Sequence, residues 1–209
     1  MNLSKRVSGC GGCTHLKCVI ACLATAVLSS LGHAATTNLF VGSLRQGIVL
    51  EFSSTDDVVF TENTFATISN PETMVFDPSG NLFVSNRKAG SIKKITPSGV
   101  KTTFATDLDV DGMAVDASGN LFVSRPSKNS NASDGVILKF TPDGKSSVFA
   151  SNVSHPKGLA FDALGNLYLA YPDRDAILKF TPDGNRTTFA SGLGNPLRLA
   201  FKPSKSFCY

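Results

Sequence analysis

The feature that most constrains the fold is one motif that occurs three times along the chain. Its aspartates, Asp77, Asp116 and Asp162, lie 39 and 46 residues apart, and a polar insertion around residues 127–133 accounts for the longer interval. A period of about 40 residues is typical of repeat architectures, in which each repeat is one supersecondary unit. The three full copies span Pro71 to Ala105, Val110 to Ala150 and Pro156 to Ala190.

Two partial copies flank the complete ones. A weaker copy begins at Asn38 and lacks the first part of the motif, and another begins at Pro196 and is recognisable only as far as Phe201. We therefore expect one repeat domain over residues 35–209. Its predicted units are 38–70, 71–109, 110–155 and 156–195, with a partial unit at 196–209.

Each copy contains four short hydrophobic runs separated by turn residues. In the first full copy, Met74 to Phe76 and Leu82 to Val84 flank a Pro-Ser-Gly turn, and Ile92 to Ile95 and Thr102 to Phe104 follow. The runs are rich in β-branched and aromatic residues, and no helical period occurs after residue 34, so strands are favoured. Repeated four-stranded units predict an all-β fold, a β-propeller with about four antiparallel blades.

The motif resembles that of the NHL-repeat propellers. It combines P-x-G-(L/M)-A-(F/V)-D-x-x-G-N-L-(F/Y)-(V/L) with (I/L)-K-(K/F)-(I/F)-T-P-x-G-x-x-(T/S)-x-F-A. More broadly, residues 38–201 are similar to a superfamily that includes SMP-30/gluconolactonase-like proteins, luciferin-regenerating proteins and streptogramin lyases. This resemblance implies a propeller in which about six blades are usual.

The number of copies leaves the closure of the ring open. The run from Pro196 to Phe201 could complete the first blade by pairing with Asn38 to Val41, which would close a four-bladed propeller. The alternative is a truncated member of a six-bladed family. We expect an incomplete propeller that exposes strand edges, and such edges favour oligomerisation.

The first 34 residues have the pattern of a secretory signal. Basic residues precede an uncharged run from Cys18 to Leu31, and small residues follow it. A membrane anchor is the alternative, but a spanning helix needs about 20 apolar residues. We therefore expect a signal peptide at 1–34, cleaved between Ala34 and Ala35, and a secreted chain, extracellular or periplasmic, without a stable membrane span.

The charge balance gives no reason to expect a nucleic acid as partner. The formal net charge is +4, and three of the basic residues lie within the expected signal. The remainder is nearly neutral and has no basic block, whereas nucleic-acid-binding surfaces are strongly basic. Partners of another kind, a protein, a peptide or a glycan, remain.

The functional face of a propeller carries the loops that lead into each inner strand and the loops between the second and third strands. Polar residues at these positions differ between copies, as expected of a binding site on a repeat scaffold, and also of ordinary surface loops. The candidate ligand-binding residues are Arg87, Arg125, Lys157, Tyr171, Asp173, Arg174 and Arg198.

The same loops contain oxygen ligands for a divalent metal. Glu72, Asn86 and Asp111 could face the mouth of the channel, and carboxylate and amide oxygens suit Ca²⁺ or Mg²⁺. The resemblance to gluconolactonase-like proteins implies a site of this composition. The repeat aspartates lie on the opposite face and are expected to accept hydrogen bonds within their turns.

One histidine lies in a loop that leads into an inner strand. The resemblance to streptogramin lyases, which use a histidine base near Mg²⁺, makes His155 a candidate general base. Val153 occupies the position, two residues earlier, where those lyases carry a carboxylate.

Three classes of function follow from these features. We expect a secreted scaffold that binds a ligand or protein without catalysis. The first alternative is a metal-dependent lactonase or lyase, and the second is a truncated propeller without independent activity.

Overall fold

A computed structural model describes residues 37–54, 59–127 and 134–201. The expected signal peptide, most of the polar insertion and residues 202–209 lie outside the described residues. Within them, fifteen strands form four antiparallel sheets, and the predicted all-β fold is confirmed. The one 3₁₀ turn of the described chain, Pro172–Arg174, connects two strands of the fourth sheet.

The four sheets follow one another along the chain. The first contains β1 (Thr37–Ser43), β2 (Ile48–Ser54) and β3 (Thr61–Thr67). The second contains β4 (Pro71–Phe76), β5 (Leu82–Asn86), β6 (Ser91–Ile95) and β7 (Lys101–Ala105). The third contains β8 (Gly112–Val115), β9 (Leu121–Arg125), β10 (Val136–Phe140) and β11 (Ser146–Ser151). The fourth contains β12 (Leu159–Phe161), β13 (Leu167–Tyr171), β14 (Ala176–Phe180) and β15 (Arg186–Ala190).

The repeat aspartates organise the hairpins between first and second strands. Asp77 Oδ1 accepts hydrogen bonds from the backbone N–H groups of Ser79 and Asn81 at 2.9 and 2.8 Å, and Oδ2 accepts one from the Asn81 amide. Asp116 and Asp162 make the same three contacts in their own hairpins. These side chains are therefore committed to the turns, as the sequence predicted.

Contacts between aromatic rings connect neighbouring sheets. Phe122 of the third sheet contacts Phe161 of the fourth with ring centroids 5.0 Å apart, and Phe149 contacts Phe180 at 5.8 Å. Three buried clusters join the first sheet to the second, the second to the third and the third to the fourth. No cluster among the described residues joins the fourth sheet to the first.

The inner strands lie side by side and approach one another closely. β4 neighbours β8 and β8 neighbours β12, while β1, the strand of the three-stranded first sheet nearest the axis, neighbours β4. A side chain at Gly112 would bring its Cβ within 2.4 Å of the Lys157 carbonyl oxygen, and one at Gly158 within 2.8 Å of the Leu197 carbonyl oxygen. Glycine is needed at both positions because a neighbouring backbone occupies the space of a side chain.

The two described ends of the array do not pair with each other, so the closed four-bladed propeller considered from the sequence does not form in this structure. The first sheet has three strands and lacks an inner one, as the repeat predicted. Pro196 to Phe201 does not pair with β1. It lies instead beside the fourth sheet, where Gly158 N–H donates a hydrogen bond to the Leu197 carbonyl at 2.9 Å. The described chain is thus an open, incomplete propeller. No helix in the described part is long and apolar enough to cross a membrane.

Candidate functional site

One face of the array carries every loop that leads into an inner strand and every connection between second and third strands. We call it the loop face, and its described residues are 44–47, 68–70, 87–90, 106–111, 126–127, 134–135, 152–158, 172–175 and 191–195. Antiparallel sheets that follow one another in a meander bring these connections to the same side. All the candidate residues chosen from the sequence lie in these loops or next to them.

An ion pair fixes the loop face of the second sheet. Arg87 Nη1 lies 3.0 Å from Glu72 Oε1, and the negative charge of Glu72 raises the pKa of Arg87 above its ordinary value. The other carboxylate oxygen of Glu72 and the Thr73 hydroxyl are buried without a hydrogen-bond partner among the described residues. Arg87 is therefore paired within its own sheet in this structure.

A second set of contacts links neighbouring sheets near the axis. Lys157 Nζ lies 2.8 Å from Asp111 Oδ2, and the Ser124 hydroxyl donates to the Lys157 carbonyl at 2.7 Å. Arg198 Nη1 donates to the Asp111 carbonyl at 2.6 Å. Lys157 and Arg198 were predicted to bind a ligand, but here they hold the third sheet, the fourth sheet and the terminal segment together.

The three predicted metal ligands do not form a metal site in this structure. Glu72 and Asp111 are each paired with a cationic side chain. The Asn86 amide is buried within its own loop, where it donates to the Ser69 hydroxyl at 3.1 Å and accepts from Ala89 N–H at 3.1 Å. No group of three or more His, Cys, Asp or Glu in the described ranges is placed to hold a metal. These residues do not fit Ca²⁺ or Mg²⁺ as they are arranged.

The candidate general base has a carboxylate partner that the sequence did not reveal. His155 Nδ1 lies 2.8 Å from Asp173 Oδ2, and both side chains are about one-third exposed, at 30% and 36%. Val153, in the expected carboxylate position, is fully buried in the core. The two partners are 18 residues apart and meet because the loop before β12 lies against the connection between β13 and β14. A carboxylate on Nδ1 orients the imidazole, which suits a general base.

A groove of about 420 Å³ lies on the outer part of the fourth sheet, where Asn152 of the loop after β11 completes its lining. Its volume is within the range of small-molecule sites. The buried side chains of Tyr171, Ala176 and Leu178 line its apolar part. The remaining lining residues are polar or cationic, and none is acidic: Asn152, Arg174, Arg186, Thr187, Thr188 and Ser191.

Two arginines mark the ends of this groove. Arg174 lies in the loop-face connection before β14. Arg186 is the first residue of β15 and lies at the opposite end of β14. Both side chains are exposed, and neither makes an ion pair or hydrogen bond within the described chain. Arg174 and Tyr171 were predicted from the sequence. Arg186 was missed because it lies in an outer strand, away from the loops that the repeat marks as variable.

Arg125 is the last of the predicted residues. It ends β9 and is half-buried, and its side chain has no ion-pair or hydrogen-bond partner in the described part of the chain. It does not line the groove. Of the seven predicted ligand-binding residues, the structure thus brings two to the groove and one to the histidine pair, and it pairs three others with protein groups.

Comparisons with known proteins show the fold. No known family profile matches the sequence, and no curated protein matches it. Among solved structures, a nidogen/laminin complex chain is similar over 77% of this chain, with a TM-score of 0.65 and 20% identity. Virginiamycin B lyase from Staphylococcus aureus is similar over 79%, with a TM-score of 0.59 and 15% identity. A streptogramin B lyase is similar over 77%, with a TM-score of 0.59 and 14% identity.

These similarities confirm the predicted resemblance at the level of the fold. The described chain is an incomplete propeller of the type that the repeat motif indicated. It spans only 63%, 59% and 54% of the three matched chains. Because folds of this kind support many activities, the function must be argued from the site.

Proposed function

We propose that the chain is a secreted propeller module that binds an extended acidic segment of a protein or peptide in the groove beside β15. The observation that carries this proposal is a pair of arginines, Arg174 and Arg186, at the two ends of a groove without acidic lining, neither of them paired among the described residues. Arginines bind carboxylates through charge-assisted hydrogen bonds, and two of them spaced along a groove suit an extended acidic segment.

The shape and chemistry of the groove support an extended ligand. β15 is the outer strand of its sheet, so its outer edge is unpaired among the described strands and can accept backbone hydrogen bonds from a peptide. Thr187, Thr188 and Ser191 add hydroxyl groups along the same line. Tyr171 and Leu178 offer an apolar surface for the stems of the ligand's side chains.

Binding of a labelled glutamate-rich peptide, measured by fluorescence anisotropy, tests this proposal. We expect Arg174→Ala and Arg186→Ala each to weaken binding by about tenfold or more, because each removes a charged hydrogen-bond donor. The effect should shrink at high salt. Arg45→Ala is the matched control, since Arg45 is an exposed loop-face arginine outside the groove.

Two results would contradict the proposal. One is equal affinity for the glutamate peptide and its glutamine counterpart. The other is a loss in Arg45→Ala as large as that in the groove variants. Binding of a sulfated disaccharide but not of the peptide would point to a glycan instead, and would refute the peptide assignment.

The pair of His155 and Asp173 supports a second candidate, a lyase activity like that named for two of the similar structures. In this alternative Asp173 orients the imidazole and His155 removes a proton from the substrate. Incubation with a streptogramin B antibiotic and Mg²⁺ tests it by product analysis. Turnover that His155→Ala abolishes would favour the lyase, and absence of turnover in the unaltered chain would exclude it for that substrate.

A further inference from the structure

The inner edge of β1 is unoccupied among the described strands. In the other three sheets an inner strand covers the equivalent edge, with β4 on β5, β8 on β9 and β12 on β13. β1 pairs only with β2, through seven residue pairs from Thr37 to Ser43. It therefore presents a row of free backbone donors and acceptors that matches a strand such as β12.

The segment Pro196 to Phe201 has the sequence of an inner strand, but it belongs to none of the described sheets. Its sequence PLRLAF repeats the PKGLAF of Pro156 to Phe161, which contains β12. Phe201 stacks on Tyr168 at 4.9 Å, as Phe161 stacks on Phe122 at 5.0 Å. The segment is thus docked on the fourth sheet in the same way that β12 is docked on the third.

The same end of the molecule exposes apolar side chains that are partly buried at the equivalent positions of other sheets. Phe149 packs against Phe122 of its own sheet and Phe180 of the next, whereas its equivalent Phe189 contacts only Tyr168 among the described rings. Phe189 is 63% exposed. The other large apolar side chains exposed at this end are Leu193, Leu197 and Phe201.

The opposite end exposes the complementary apolar surface. Leu39, Val41 and Phe52 are half-buried. Their equivalents in the second sheet, Leu82, Val84 and Ile95, are fully buried against the first sheet. A further sheet at this end would cover them in the same way. Within the described residues, one end of the array therefore has an uncovered sheet face, and the other end has an uncovered segment with the sequence of an inner strand.

We propose that Pro196–Phe201 of one copy pairs with β1 of a second copy and completes its first blade. The chain's own segment is already seated on the fourth sheet through Gly158 and Tyr168, and no buried cluster of the described residues joins that sheet to the first. The interface is head-to-tail, so it forms a ring or an extended assembly according to the angle between copies.

The equivalence with the fourth sheet fixes the register of this pairing. β12 pairs with β13 through Leu159 and Leu169, Ala160 and Tyr168, and Phe161 and Leu167. Transferred to the interface, the pairs are Leu199 with Val41, Ala200 with Phe40, and Phe201 with Leu39. Both sides of the interface are apolar, as in the three blades that the chain completes itself.

Cysteine cross-linking tests the proposal on the processed chain, residues 35–209, carrying Cys208→Ser. A mixture of Val41→Cys and Leu199→Cys chains should form a disulfide-linked heterodimer under mild oxidation, and neither variant alone should do so. The double variant should form a ladder of linked copies. Leu164→Cys, at an 82% exposed hairpin position, is the control partner for Val41→Cys and should not cross-link above background.

Light scattering of the unaltered chain adds a readout that needs no substitution. For the unaltered chain, the proposal predicts a molar mass above that of one copy, and this mass should rise with protein concentration. For Val41→Lys it predicts the molar mass of a single copy. A double variant that yields only an internally linked single copy would show closure within the chain and overturn the proposal. So would an unaltered chain that stays a single copy at all concentrations.

Discussion

At the residue scale, the aspartate that recurs in each full copy stabilises the hairpin in which it lies. Asp162 accepts hydrogen bonds from the backbone N–H groups of Leu164 and Asn166, from the Asn166 amide and from the Tyr168 hydroxyl. Burial alone raises the pKa of Asp162, but these hydrogen bonds together outweigh it, and its pKa lies below the ordinary value of 3.8. The carboxylate therefore stabilises the hairpin in its ionised form.

We expect Asp162→Ala to lower the free energy of unfolding by about 1–2 kcal/mol at pH 7, because several hydrogen bonds to an ionised group are lost. A folded-state pKa below the unfolded value means that this stabilisation is complete above pH 3.8 and is lost as pH falls through the lowered pKa. The difference between the variant and the unaltered chain should therefore be smaller at pH 3 than at pH 7.

Urea unfolding at the two pH values measures this difference. Asp134→Ala is the control, since Asp134 is exposed and makes no hydrogen bond within the described residues. A loss of stability in Asp162→Ala that is the same at both pH values would contradict the assigned role of the ionised carboxylate.

At the scale of elements, one position of the repeat has two environments. Phe149 in β11 and Phe189 in β15 occupy the same place in their sheets, but only Phe149 is covered by a following sheet. Packing between sheets, and not the strand itself, therefore decides how much each ring contributes to stability.

We expect Phe149→Ala to lower the free energy of unfolding by about 2 kcal/mol, somewhat less than for a fully buried phenylalanine, because its half-buried ring packs against the core of the third and fourth sheets. Phe189→Ala should cost much less, because the ring is mostly exposed in a single copy. Urea unfolding at low protein concentration, where association is weakest, compares the two variants. An equal decrease in the free energy of unfolding for both variants would contradict the conclusion that no following sheet covers Phe189.

The sequence predicted the elements well because each depends on local pattern. The Pro-Ser-Gly turn after Asp77 and the short apolar run from Leu82 to Val84 define their hairpin without reference to other sheets. The site was predicted less well because it depends on contacts between loops. Nothing in the order of residues shows that Asp173 meets His155, or that Lys157 is paired with Asp111.

At the scale of the whole molecule, the open array explains several features together. Near-axial contacts such as Lys157 with Asp111 connect neighbouring sheets, and the segment Pro196 to Phe201 continues the array beyond the fourth sheet. The groove that we propose to bind a ligand lies on the fourth sheet, which is complete. It does not depend on whether the ends pair with another copy.

A nuclear Overhauser spectrum of the phenylalanine rings tests the propeller arrangement most directly. Side-by-side packing of the sheets predicts cross-peaks between rings of consecutive sheets, Phe40 with Phe76 and Phe122 with Phe161, whose centroids lie 4.9 and 5.0 Å apart. Absence of both cross-peaks in a folded chain would show that the repeats do not pack side by side about an axis, and would contradict the propeller.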